Sequence, residues 1–172
     1  QHGNAVAVAC GICPRERWDK VFSVILDEKK LKLTKAWQWD IERSFDANQD
    51  VILAQPFFMR WVHAALARSG RIGDIVGNIK KRWSSMIQGE ASTFWETWQT
   101  TEMTSRCHAF SATPTYDIST YVLGVYPVND GYSEFKITPY FIGLDWAYGE
   151  IPTPAGNISI SWNRQGDTLS ID

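Results

Sequence analysis

The chain has 172 residues, a formal net charge of -2 and an isoelectric point near 5.9. That balance argues against a nucleic-acid surface, which needs a clustered excess of Lys and Arg, and no apolar run approaches the roughly 20 residues of a bilayer span. The length suits one domain, or one with a small appendage, able to bury roughly 70% of its unfolded surface.

Asn4 to Cys10 reads as a small-residue helix that packs closely and stops at Gly11, a residue that tolerates the left-handed C′ conformation. Pro14 suits a first helical position, and Trp18, Val21, Phe22 and Ile25 recur on one face of a second, amphipathic helix. Asp27 to Asn48 is polar and mixed, interrupted by WQWD. It reads as a loop, with a turn of helix around Asp40 to Ser44. Trp37, Trp39 and Asp40 in it are candidates for the edge of a subsite.

Pro56 starts the next helix, with Phe57, Trp61, Ala64, Ala65 and Leu66 as its stripe and Gly70 as its end. Ile72, Ile75, Ile79, Trp83 and Met86 continue at a 3.6-residue period after a very short connection, which predicts a helical hairpin. Lys80, Lys81 and Arg82 are expected to close that helix, where its dipole favours cations. A last helix opens at Pro114, runs through Tyr116, Tyr121, Val122 and Leu123, and is stopped by Gly124 and Pro127.

From Tyr132 the period falls to two. Phe135 and Ile137 alternate with polar neighbours, as do Ile158, Ile160 and Trp162. Pro139, Gly143, Gly149, Pro152, Pro154, Gly156 and a turn at Arg164 to Asp167 punctuate this region, as an antiparallel sheet with tight connections requires, and Thr168 to Ile171 reads as its last strand. Cys10 and Cys13 form a C-x-x-C pair, but no second pair completes a zinc or redox set. Cys107 beside His108 does not supply one, so ordinary buried thiols are expected.

The stretch from Phe94 to Val125 carries the chemistry. Glu96 lies between the indoles of Trp95 and Trp98, and His108 follows it by twelve residues. A carboxyl group between apolar walls can have its pKa raised and act as a proton carrier, and indole faces stack on sugar rings. On residue type alone, a solvated Glu, core Trp residues and a capping or core histidine remain the competing reading. His63, on the apolar helix after Pro56, is read as structural. His2 is placed at a helix start, Asp117 is read as a residue that holds a neighbouring group, and Glu90 and Glu102 are read as surface charge.

STFWETW, then SRCHAFSATPTYDISTYVLGVYP, then WAYGEIPTPAGNISISW, resemble in content and order the C-terminal part of the alpha-L-rhamnosidases of the six-hairpin glycosidase superfamily. QHGNAVAVACGICP resembles the family's small-residue inner helix, and RSGRIGDIVGNIKKRWSSMI the helix leading into the Glu block. The resemblance implies a fold that is α+β by segments. Residues 1–126 would be the C-terminal part of an (α/α) six-hairpin toroid, and 127–172 a small antiparallel β domain. A complete toroid of about twelve helices needs on the order of twice this chain, and the chain starts at Gln1, so a piece of a larger enzyme is expected.

The activity implied is hydrolysis of terminal alpha-L-rhamnosyl bonds with inversion, which takes one carboxyl as acid and another as base. The family's base maps onto Glu96; His108 maps onto a sugar-hydroxyl contact, and Trp95 and Trp98 onto the pocket region, one walling it and the other packing behind, with Trp95 the first choice for the wall. No stretch matches the block that carries the acid. Glu16, on the helix after Pro14, is rejected for that role, and the isolated chain is expected to be nearly inert. No cofactor or metal site is expected in this chain. The implied partners are a rhamnose-containing glycoside or polysaccharide and the missing N-terminal part of the same barrel, with neither nucleic acid nor membrane. The sequence itself gives no address, whereas the resemblance implies a secreted or periplasmic parent. Two alternatives stand beside this reading: a noncatalytic carbohydrate-binding module using the same aromatics, and a six-hairpin glycosidase for another sugar.

Overall fold

The computed structural model describes residues 1–33, 45–89, 91–99 and 104–172. Trp37, Trp39, Asp40, the helical turn expected up to Ser44, Glu90 and Glu102 lie outside the described residues. The chain is α+β by segments and forms two compact units, Gln1–Thr113 and Pro114–Asp172.

In the first unit, α1 (His2–Ala9) buries Ala5 and Val8 completely and packs against α3 (Met59–Arg68). Its small residues let the two backbones approach, and Gly11, at φ +75, turns the chain out of the helix as expected. Pro14 sits one residue earlier than predicted, capping a 3-10 turn (Arg15–Arg17) that leads into α2 (Trp18–Ile25). Phe22 and Ile25 are buried there, and the exposed Glu16 lies on the turn. The polar stretch before α3 carries a contact that periodicity does not predict. Leu31–Lys32 (β1) pairs in parallel with Val51–Ile52 (β2), and two residues on each side are too few to generate a sequence period.

Gln1 ties these pieces together. It is 8% exposed, and its side-chain amide donates to the Ile25 carbonyl at 2.7 Å while its oxygen accepts from the Ala54 amide at 2.8 Å. Gln1→Ala leaves both buried backbone groups without that partner and is expected to cost about 2–4 kcal/mol. Urea unfolding of the chain checks this, and a loss below about 1 kcal/mol would show that water replaces the amide.

The predicted stripe of α3 needs correction. Phe57 is 50% exposed and Trp61 37%, whereas Met59, Val62, His63, Ala65 and Leu66 form the buried face. The cause is at the helix start. Residues Pro56–Phe58 form a 3-10 turn, so the helical phase begins at Met59 and the large aromatics are left on the outer side. His63 is fully buried and its Nε2 lies 3.0 Å from Asn78 Oδ1 on α4 (Ile72–Gln88), consistent with a structural histidine. Gly70 (φ +75) closes α3, and α3 packs on α4 as the expected hairpin, with Ile72, Ile75, Trp83 and Met86 buried. Lys80, Lys81 and Arg82 do not close α4, which runs on to Gln88. Lys81 and Arg82 instead both bind Glu28, Lys81 at 3.0 Å. The thiols depart from expectation in their burial: Cys10 and Cys107 are exposed and Cys13 is half-buried.

The second unit begins in α5 (Thr113–Asp117), which continues as a π turn (Ile118–Val122) and ends at Gly124, φ +88. Asp117 is buried in this segment, 3% exposed. Pro127 does not terminate the helix as predicted. It lies in β3 (Val125–Pro127), paired antiparallel with β4 (Phe135–Ile137). A three-stranded antiparallel sheet follows in the order β5 (Trp146–Thr153), β6 (Gly156–Gln165), β7 (Thr168–Ile171). Ile160 and Trp162 point inward, and the Trp162 indole donates to the Val122 carbonyl at 3.2 Å. Gly149 and Pro152, expected at turns, lie inside β5. A Cβ at Gly149 would stand 2.9 Å from Leu123, so the glycine admits a close neighbour. Pro152 is tolerated because β5 is an edge strand.

Candidate active site

After α4 the chain runs without regular structure through Ala91 to Gln99 and is held by main-chain bonds to 104–108. The Glu96 amide donates to the Ser105 carbonyl at 2.9 Å, and the His108 amide donates to the Phe94 carbonyl at 2.7 Å. The Thr93 hydroxyl donates to the Arg106 carbonyl. This pairing brings two residues separated by twelve positions side by side, so that Glu96 Oε2 lies 3.8 Å from His108 Nδ1. Both side chains are about three-quarters buried, at 22% and 25% exposure.

One Glu96 oxygen, Oε2, accepts the Ser105 amide at 2.9 Å, which fixes the carboxylate's direction. His108 Nδ1 is shielded from solvent and has no hydrogen-bond partner, its distance to Glu96 being too long for a hydrogen bond. A fixed carboxylate beside an unsatisfied imidazole nitrogen can bind a hydroxyl or a water between them, and such contacts tighten when substrate enters.

The two indoles flanking Glu96 go in different directions. Trp98 is built into the hairpin: its Nε1–H donates to the Ala54 carbonyl at 2.7 Å, its amide donates to Gln55 Oε1 at 3.1 Å, and its ring meets Trp83 edge-on at 4.8 Å. Trp83 in turn donates to the Ser111 carbonyl at 3.1 Å, so one aromatic pair anchors both sides of the Glu96 segment. Trp95 lies against the end of α4, where a Cβ at Gly89 would come within 2.8 Å of its ring, and the Arg106 guanidinium stands 5.9 Å from its centroid.

A row of rings that sequence periodicity does not single out adjoins His108. Phe110 is 4.1 Å from His108, Phe57 is 4.9 Å from Phe110, and Phe58 is 6.2 Å from Phe57. His2 is 4.4 Å from Phe58. Burial pushes the His2 imidazole below its ordinary range, which favours the neutral ring. The signal available in sequence was Pro56 directly before two phenylalanines, a 3-10 start that throws them off the helix's buried face. Among the described residues no group of three His, Cys, Asp or Glu side chains is placed to hold a metal ion, and no described helix is long and apolar enough to cross a membrane.

The described residues thus form a helical hairpin unit whose loops bring a carboxylate beside an imidazole, followed by a small antiparallel β unit. Residues 124–172 match the family model for the bacterial alpha-L-rhamnosidase C-terminal domain. The chain is 30% identical over 99 residues to an alpha-L-rhamnosidase of Alteromonas sp. (strain LOR), covering 52% of this chain and 11% of that protein. Its fold is similar to the GH78 family rhamnosidase of Bacillus sp. GL1, with a TM-score of 0.76 and 25% identity over 99% of this chain and 17% of that one. It is also similar in fold to the Streptomyces avermitilis alpha-L-rhamnosidase, solved in complex with L-rhamnose, with a TM-score of 0.72 and 15% identity over 99% of this chain and 16% of that one. The chain is therefore similar to the C-terminal part of these alpha-L-rhamnosidases, and spans about a tenth to a sixth of the length of these relatives.

Proposed function

We propose that this chain is the base-carrying piece of an inverting glycoside hydrolase that cleaves terminal alpha-L-rhamnosyl bonds. The observation that carries the proposal is the Glu96 carboxylate held 3.8 Å from the His108 imidazole by the pairing of residues 94–96 with 105–108. Glu96 takes a proton from the attacking water, and the general acid belongs to a part of the full-length enzyme upstream of these residues. His108 binds a sugar hydroxyl with a ring that offers one donor and one acceptor when neutral. Trp95 walls the pocket and Trp98 packs behind the Glu96 segment. In this reading residues 1–126 belong to a six-hairpin catalytic barrel completed by the remainder of that enzyme, and 127–172 form its β domain. The substrate is a rhamnose-containing glycoside or polysaccharide. The methyl group of a 6-deoxy sugar gains about 0.8 kcal/mol against an apolar wall if fully buried.

The test is release of nitrophenol from 4-nitrophenyl alpha-L-rhamnoside by the full-length enzyme, with the first-formed sugar followed by NMR. Inversion gives beta-L-rhamnose first. The alpha anomer first would remove the inverting assignment, and turnover of a different 6-deoxyhexoside instead would move the substrate while leaving the site. Binding of sugar with no turnover at all would favour the noncatalytic module.

A further inference from the structure

The two oxygens of Glu96 have different surroundings. Oε2 accepts the Ser105 amide at 2.9 Å and stands 3.8 Å from His108 Nδ1, whereas Oε1 has no hydrogen bond among the described residues. Ser105 is itself tied to the His108 side of the site: its hydroxyl donates to the Cys107 carbonyl and accepts the Cys107 amide, each at 3.1 Å. The imidazole is fixed through its main chain and its face. The His108 amide donates to the Phe94 carbonyl at 2.7 Å, its carbonyl accepts the Ser111 amide at 3.0 Å, and the Phe110 ring lies 4.1 Å away. Nδ1 faces the carboxylate and is covered, with no hydrogen-bond partner. Its cover comes from atoms of this chain, so it does not depend on the rest of the enzyme.

A neutral imidazole carries a proton on one nitrogen and a lone pair on the other. With the lone pair on Nδ1, two acceptors would face each other and the covered nitrogen would stay unpaired, which is costly. With the proton on Nδ1, a shortening of about 0.6–1.0 Å makes an N–H···O bond of ordinary length. Direct closure keeps the ring on Phe110, whereas admitting a water to Nδ1 would have to uncover it. Active-site hydrogen bonds tighten in this way when substrate enters. We infer that His108 divides two tasks between its nitrogens: Nδ1–H holds Glu96 Oε2 as a second donor beside the Ser105 amide, and the Nε2 lone pair accepts a hydrogen bond from a sugar hydroxyl. Both protein donors then sit on Oε2. Oε1 is the oxygen that takes the proton as the water oxygen bonds to the anomeric carbon. His108 is thus a positioning residue for the base as well as a sugar contact. The inference rests on the reading of Glu96 as the general base.

The experiment uses the full-length enzyme with 4-nitrophenyl alpha-L-rhamnoside and compares His108→Asn with His108→Gln. The Asn amide N–H reaches the place of Nδ1–H, and the Gln amide oxygen reaches the place of Nε2. His108→Asn is expected to keep kcat within about threefold, while KM and the inhibition constant of free L-rhamnose rise about three- to tenfold, the worth of one neutral hydrogen bond. His108→Gln is expected to show the reverse: kcat falls about 10- to 100-fold, the worth of a bond to a charged group, and rhamnose inhibition stays within about twofold. Retained inhibition also shows that the Gln variant is folded. A residue that acts through Glu96 loses that effect once Glu96 is replaced. In a Glu96→Gln background driven by azide, a nucleophile that needs no deprotonation, adding His108→Gln should therefore change kcat by less than about twofold. A loss of kcat in the Asn variant as large as in the Gln variant, or the same loss with and without Glu96, would overturn the positioning role. Unchanged rhamnose inhibition in the Asn variant would overturn the Nε2 assignment. Glu96→Gln alone separates the two readings: if it loses turnover, these outcomes judge His108 only. If it keeps wild-type turnover, the base assignment falls and the inference with it.

Discussion

Glu96→Gln in the full-length enzyme is expected to lower kcat on an aryl rhamnoside by about 10²- to 10⁴-fold, or roughly 3–5 kcal/mol of transition-state stabilisation, with the fold intact. The amide is nearly isosteric with the carboxylate and can still accept the Ser105 amide proton that orients residue 96 in the wild type at 2.9 Å, so geometry is retained while basicity is lost. KM should move little, because a group that removes a proton in the transition state contributes mainly to kcat. Azide, an anionic nucleophile that needs no deprotonation, should restore turnover to the variant and yield a rhamnosyl azide of inverted configuration. That rescue separates loss of the base from a general collapse of the site. A variant that keeps wild-type turnover would remove Glu96 from the mechanism. On the proposed reading the isolated chain carries the base without the acid, and it should show no comparable turnover in either form.

What the sequence disclosed about this site followed the reach of each signal. Residue type alone left Glu96 and His108 open to a solvated or core role, and it was the resemblance to the rhamnosidases that made them candidates. Their 3.8 Å proximity was not legible, since it depends on a main-chain pairing between 94–96 and 105–108 that has no alternating pattern to announce it. The helices were legible from the 3.6-residue period, and Gly11, Gly70 and Gly124 were read as stops for the reason the structure bears out, a positive φ at each. Periodicity failed at α3 because it fixes the spacing of a stripe but not where the helical phase starts. One 3-10 turn at Pro56 exchanges which residues face the core, and Phe57, one of the two aromatics misassigned there, meets Phe110 beside His108. In the β unit the alternation at Ile158, Ile160 and Trp162 named the inward face of β6, whereas Gly149 and Pro152 misled because glycine and proline were read as turn formers. Each has a place inside an edge strand: one admits the Leu123 side chain, and the other needs no partner for its missing N–H. The two-residue parallel pair of β1 and β2 falls below any period at all.

The largest stability effect is expected at Gly124, where two demands on the residue coincide. Its φ of +88 is one that side chains rarely adopt, a cost of about 1–2 kcal/mol for alanine. A Cβ placed there would also lie 2.3 Å from the Pro139 nitrogen, 2.4 Å from the Pro139 Cα and 2.6 Å from the Thr138 carbonyl carbon. These are main-chain atoms, so no rotamer change relieves the overlap. The segment is tied in from the other side as well, because the Thr138 amide donates to the Gly124 carbonyl at 2.7 Å. Moving it away therefore disturbs the pairing of Val125 with Ile137 immediately beyond. Gly124→Ala is expected to destabilise Pro114–Asp172 by more than about 4 kcal/mol. Hydrogen exchange should show this as lost protection at the Thr138 amide and along β3 and β4. Gly143→Ala supplies the control: Gly143 has a similar φ of +76, but a Cβ added there would meet nothing within 4 Å, so it should show the conformational cost of about 1–2 kcal/mol alone. If the two substitutions cost the same, backbone contact is not what fixes glycine at 124, and the left-handed turn by itself is the reason.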